Sequence, residues 1–154
     1  MQAMPDNPSP PATLAELEAQ LSYLVNRLAS HSQSRLGIML KQCGASLIVL
    51  RTLSVLHIEH GLTINEIAER TFSEQSKASR TIDSMVAAGL VERHTPDTDL
   101  RRREVVLTDA GRALLFACWP EMEAFHTLVT KGISKEDLAA TRRVLLAMTA
   151  NLRS

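Results

Sequence analysis

Aromatic residues are scarce in this 154-residue chain, at 3 %, with one Trp, one Tyr and three Phe. Any aromatic-walled pocket must therefore draw on very few side chains, and rings such as Phe116 and Trp119 are as readily ordinary core as ligand wall. Cysteine is equally sparse. Cys43 and Cys118 are the only two, and they read as buried structural thiols, because a free cysteine packs as a small hydrophobe. So few cysteines, with no apolar N-terminal segment, point to the reducing cytoplasm, without signal peptide or membrane span. The chain also lacks a glycine-rich phosphate loop, a Gly-x-Ser-x-Gly elbow and any array of metal ligands. That excludes a recognisable catalytic constellation, so the expectation is no enzyme, no cofactor and no metal. His57 and His60 stand three apart in a helical segment, a spacing open to two metal ligands. Glu59 is adjacent, but no matching Cys or His cluster stands nearby in sequence, and a histidine at a helix C-terminus is accounted for by the helix dipole. Finally, there is no excess of charge. Lys and Arg number 17 against 17 Asp and Glu, so a nucleic-acid partner must be argued from local placement rather than from the whole-chain field.

What is present is ample apolar material, 45 % of residues, enough for one folded unit. Its most ordered stretch runs over residues 62–111. Thr63-Ile-Asn-Glu66 is a capping box, with Leu62 and Ile67 placed as a hydrophobic staple, which predicts a short helix over residues 64–70. After a break at residues 71–73 a second helix begins near Glu74, with Ser73 as an alternative N-cap. It carries Ala78, Ile82, Met85 and Val86 on one apolar face and is ended by Gly89. The other face presents Gln75, Ser76, Lys77, Ser79, Arg80 and Thr81. These are short or cationic side chains suited to phosphates and to base edges in a major groove. Residues 90–94 and 103–107 then form a hairpin around a polar loop holding Pro96, Asp97 and Asp99. That loop leads into Arg101, Arg102 and Arg103. Alone, such a run is often just a solvated face; beside a helix-turn-helix it suits phosphate or minor-groove contacts. Thr108 caps a further helix.

Both termini carry leucine stripes. Beyond a Pro-rich tail of residues 1–12, Thr13-Leu-Ala-Glu16 is another capping box, and Leu14, Leu17, Leu21, Leu24 and Leu28 follow at alternating spacings of three and four. Ser134 to Asp137 resembles a third box, and Leu138, Thr141, Leu145, Met148 and Leu152 repeat the alternation. Between them a long helix over residues 109–131 holds Pro120, a kink position. Leu47, Leu50 and Leu53 mark a buried scaffold helix ended by Gly61. The stripes read as a dimer seam, with packing inside one chain as the alternative.

Taken in order, Ser79-Arg80-Thr81-Ile82-Asp83, Gly89-Leu90-Val91-Glu92-Arg93, Asp99-x-Arg101 and Leu107-Thr108-x-x-Gly111 resemble the pattern of MarR-type transcriptional regulators. Two positions depart from it: Glu74 stands where a better N-cap is common, and Leu100 where a basic wing residue is usual. The resemblance implies a mainly α fold with a small β-hairpin wing, in which a winged helix-turn-helix domain (residues 43–108) joins terminal dimerisation helices (residues 13–42 and 109–154). It also implies a homodimeric repressor that binds double-stranded DNA at a palindromic operator. Gln75, Ser76, Lys77, Ser79, Arg80, Arg101, Arg102 and Arg103 would meet the DNA, with Asp99 stabilising the wing. Relatives release DNA when a small, often aromatic and anionic, effector enters a cleft, for which His31, Met39, Cys43, Phe116 and Trp119 are the candidate lining. A winged helix that docks only on protein is the rival reading, separable by the salt dependence of duplex binding.

Overall fold

The computed structural model describes residues 9–153; the first eight residues of the expected flexible tail lie outside them. Thr13 caps a single short helix, α1 (Leu14–Glu18), its hydroxyl accepting from the Glu16 amide while the Glu16 carboxylate reaches the Ala12 amide. The expected continuous leucine seam then breaks. Gln20 adopts extended backbone, and the long helix α2 (Leu21–Lys41) starts afresh behind it. No Gly or Pro marks this break in the sequence. Across the corner Arg27 pairs with Glu18, with the Arg27 guanidinium lying over the Tyr23 ring. Only Leu36 and Leu40, near its C-terminal end, bury α2 in the core.

A turn through Cys43 and Gly44 leads to α3 (Leu47–Ile58), N-capped by Ser46. Leu50, Leu53 and Leu56 are almost free of solvent, and the helix packs against α2 and most elements of the winged unit that follows. Its one buried hydroxyl, on Thr52, is satisfied by the Ile48 carbonyl at 2.8 Å. Gly61 then reverses the chain in the left-handed region, φ 71°. The capping box forms as the spacing requires: Thr63 takes the Glu66 amide on its hydroxyl, and the Glu66 carboxylate takes the Thr63 amide at 2.7 Å, starting α4 (Ile64–Thr71). Phe72 ends α4 with φ 54°, a conformation that costs an aromatic residue energy. Ser73 does not cap the next helix, because its hydroxyl is engaged by Thr71 at 2.9 Å. Glu74 occupies the cap position of α5 (Gln75–Ala87) without a side-chain hydrogen bond.

Gly89, at φ 73°, turns the chain into β1 (Val91–His94), which pairs antiparallel with β2 (Glu104–Leu107) in the register Val91 to Leu107 and His94 to Glu104. Leu62, read from sequence only as a staple, adds a one-residue third strand. It exchanges two backbone hydrogen bonds with Val105, at 2.8 and 3.3 Å. Thr108 caps α6 (Asp109–Val129), which continues through Pro120, and α7 (Lys135–Asn151) follows behind the Ser134 cap. Neither α1 nor α7 buries a single residue. Among the described residues no helix is long and apolar enough to cross a membrane.

The join between wing and α6 depends on Gly111. Thr108 donates its hydroxyl to the Gly89 carbonyl at 2.7 Å and its amide to the Leu90 carbonyl, drawing the first turn of α6 onto the strand. A Cβ at position 111 would stand 2.1 Å from the Leu90 carbonyl oxygen, which is backbone and cannot swing away. Gly111→Ala is therefore expected to destabilise the chain by about 1–3 kcal/mol through overpacking, read as a lower urea midpoint; an unchanged midpoint would mean that α6 is not seated this closely.

Candidate functional site

Helix α5 is amphipathic, and its two faces divide cleanly. Ala78, Ile82 and Met85 are buried against the core, while Gln75, Ser76, Lys77 and Arg80 are exposed and Ser79 and Thr81 are half-buried. The exposed side is held in order by local bonds: Arg80 donates Nε to the Ser76 carbonyl at 3.4 Å, and Thr81 its hydroxyl to the Lys77 carbonyl at 2.9 Å. Near the other end Asp83 pairs with Arg93 of β1, which ties α5 to the wing. The helix thus offers an uncapped N-terminus and a run of donors on a rigid support, an arrangement able to meet phosphates and base edges.

The three arginines of the wing have three different environments. Arg101 is exposed, and its backbone amide donates to the Asp99 carboxylate at 3.0 Å. Asp99 therefore shapes the loop through the main chain rather than by an ion pair with a neighbouring arginine. Arg103 is exposed but turned back on the hairpin, donating to Thr95 Oγ1 at 3.1 Å and to the Leu100 carbonyl at 2.8 Å. Arg102 is half-buried and points toward α4, where it donates to Glu66 Oε2 at 2.8 Å and to the Gly61 carbonyl at 3.2 Å, and within β2 to Glu104 Oε1 at 2.5 Å. Expected as one cationic patch, the run presents Arg101 outward and commits Arg102 inward. The Arg102 contact with Glu104 is local, two residues along the chain; its contact with Glu66, 36 residues away, had no signal in the sequence. The Glu66 carboxyl is held below its usual range, first by the Thr63 amide and further by the Thr63 hydroxyl and Arg102.

A second feature lies on the far side of α3. Ser54, His57 and Ile58 from α3 face Leu115, Phe116 and Trp119 from α6 across an apolar cavity of about 360 Å³. The His57 ring stands edge-on to Phe116, 5.5 Å between centroids, and its Nδ1 lies 3.2 Å from an Arg112 guanidinium nitrogen. Phe116 and Trp119 remain 60 % and 45 % exposed, so the cavity has a partly open aromatic wall. Of the five residues expected to line a cleft, the structure brings these two together. His31, Met39 and Cys43 do not line this cavity: His31 is exposed on α2, Met39 is half-buried there, and Cys43 sits in the following turn. The thiol of Cys43 donates to the Leu40 carbonyl, and it faces the buried Cys118, whose own thiol lies 3.7 Å from the Cys43 carbonyl. Burial pushes the Cys118 thiol up to about 12, so it is held as the neutral form. Sequence reasoning missed Ser54 and Ile58, which no spacing distinguished from scaffold.

Comparison with known proteins places this geometry among described structures. Residues 44–102 match the model of the MarR family. The crystal structure of a MarR-family transcriptional regulator from Silicibacter pomeroyi superposes with a TM-score of 0.78 at 35 % identity, covering 90 % of this chain and 95 % of that one. The HTH-type transcriptional regulator TcaR of Staphylococcus aureus is 27 % identical over 136 residues, 87 % of this chain and 89 % of TcaR. At 23 % identity, the MepR protein of S. aureus, solved as a complex with DNA, shares the fold with a TM-score of 0.77 over 88 % of this chain and 98 % of its own.

Proposed function

The chain belongs to the MarR family of transcriptional regulators, and from that premise we propose that it acts as a homodimeric repressor whose paired α5 helices read a palindromic operator. The observation that carries this reading is the division of α5, with Ala78, Ile82 and Met85 buried and Gln75, Ser76, Lys77 and Arg80 presented outward, while Arg101 is exposed on the wing. A two-fold axis would set the two α5 helices about 34 Å apart, in successive major grooves. Repression then follows from occlusion of a promoter. Net neutrality makes long-range steering weak, so affinity rests on these local cations.

The terminal helices support the dimer. Leu21 is 57 % exposed and Leu145 41 % exposed, and Leu14, Leu28 and Leu146 are likewise uncovered. The alternative, in which the stripes pack inside one chain, is disfavoured by α7 burying nothing. Apolar surface on that scale normally marks an interface.

The cavity between α3 and α6 supports release by an effector. Its volume suits a single aromatic ring, Phe116 and Trp119 offer faces to stack on, and Arg112 beside His57 offers a cation for an acid group. Because α3 also carries α4 and α5, a ligand wedged between α3 and α6 acts on the helices that would hold the DNA.

Three outcomes test these statements. Arg80→Ala should lose about 1–3 kcal/mol of specific duplex binding if its guanidinium meets a base edge; an unaltered operator affinity in the folded variant would remove Arg80 from the interface. Leu145→Glu places a carboxylate in the proposed seam, where an unpaired charge is strongly unfavourable, so it should sediment as a monomer or unfold. A wild-type chain that sediments as a monomer yet binds a palindrome without cooperativity would sink the dimer. For the cavity, Trp119 is the only tryptophan in the chain, so its fluorescence is a clean reporter. Benzoate should alter it saturably and weaken duplex binding, and a flat titration would take small aromatic acids out of the account.

A further inference from the structure

Among the contacts made by the three wing arginines, those of Arg102 alone reach beyond the hairpin and its loop. Its three acceptors come from three places: the Glu104 carboxylate on β2, the Gly61 carbonyl in the loop after α3, and the Glu66 carboxylate in the first turn of α4. The planar guanidinium fork can serve all three at once, which a lysine ammonium on a flexible stem does poorly. The packing around it is tight. A Cβ on Gly61 would fall 2.5 Å from Glu104 Oε2, so the carboxylate lies directly on the glycine backbone. Immediately beside this cluster Leu62 and Val105 exchange their two backbone hydrogen bonds.

We propose that Arg102 is a positioning residue for DNA binding: it latches the wing to the start of α4 and so sets the distance between Arg101 and α5, without itself meeting a phosphate. The inference rests on the DNA-binding reading above. Its electrostatic ground is the fate of the two carboxylates. With Arg102 in place, Glu66 and Glu104 are paired. Were the guanidinium turned to a phosphate, both would be left uncompensated beside a polyanion, and the three bonds that Arg102 makes would be lost together. Arg101 has no such ties, being exposed and bonded only through its backbone amide among the described residues.

Direct contact and latch predict opposite signs for one substitution. Glu104→Gln removes a negative charge near the DNA and loosens Arg102. If Arg102 touches phosphate, binding should strengthen; if it is a latch, binding should weaken. The measurement is affinity for a mixed-sequence DNA duplex across a salt series, together with hydrogen exchange of the Leu62 and Val105 amides in the free protein. Arg101→Ala should lower the salt slope by about one unit, the loss of one phosphate contact, with amide exchange unchanged. Arg102→Ala should leave the slope as in wild type, weaken affinity about fivefold, as befits a half-exposed ion-pair cluster, and speed exchange at both amides. Arg102→Lys, which keeps the charge but not the fork, should resemble Arg102→Ala. Tighter binding by Glu104→Gln, or a slope lowered by Arg102→Ala with amide exchange unchanged, would overturn the proposal. A wild-type chain that ignores duplex at every salt concentration would instead fail the functional reading, whereas the exchange data, taken without DNA, report on the latch alone.

Discussion

The burial of α3 is the constraint on which the rest of the molecule depends. Leu50, Leu53 and Leu56 are buried on a helix that packs against α2, α4, α5, β2 and α6. Shortening one such leucine to alanine typically removes about 2–5 kcal/mol, a large part of what a domain of this size has in total. The proposed DNA face, the wing and the cavity are therefore not separate modules. They are three outer surfaces of elements that share one apolar helix, since α3 packs against α6 and also against α4 and α5.

On this frame the backbone is fixed by a few short-range devices. The capping box at Thr63 and Glu66, the left-handed turns at Gly61 and Gly89, and the close approach at Gly111 each set the direction of the element that follows. The capping box and the two glycine turns were legible in the sequence because each is written in residue types at fixed offsets, whereas the motif that holds Gly111 did not say which backbone would lie against it. The two faces of α5 were legible for the same reason, since burial of Ala78, Ile82 and Met85 follows a helical period. What was not legible depended on geometry without a period. Leu62 joins the wing through a bridge one residue long, and α2 begins after an extended Gln20 that no Gly or Pro announces.

The candidate site shows the same division. Composition identified Arg101, Arg102 and Arg103 as a cationic run, yet the structure gives each a different set of partners, because their side chains leave an irregular loop in different directions. Likewise Phe116 and Trp119 were singled out as rings, but their partners across the cavity, Ser54, His57 and Ile58, come from a helix whose sequence shows no sign of a ligand wall. Residue type locates chemistry. Which atoms meet is decided by how the helices pack.

Whether the outer face of α5 and the tip of the wing form the DNA-binding surface can be read from amide chemical shifts in isotope-labelled protein titrated with a mixed-sequence duplex. The largest changes are expected at residues 75–80 and around Arg101, fading as salt is raised, with α7 unmoved. Changes concentrated on α1 and α7, or none at low salt, would contradict it.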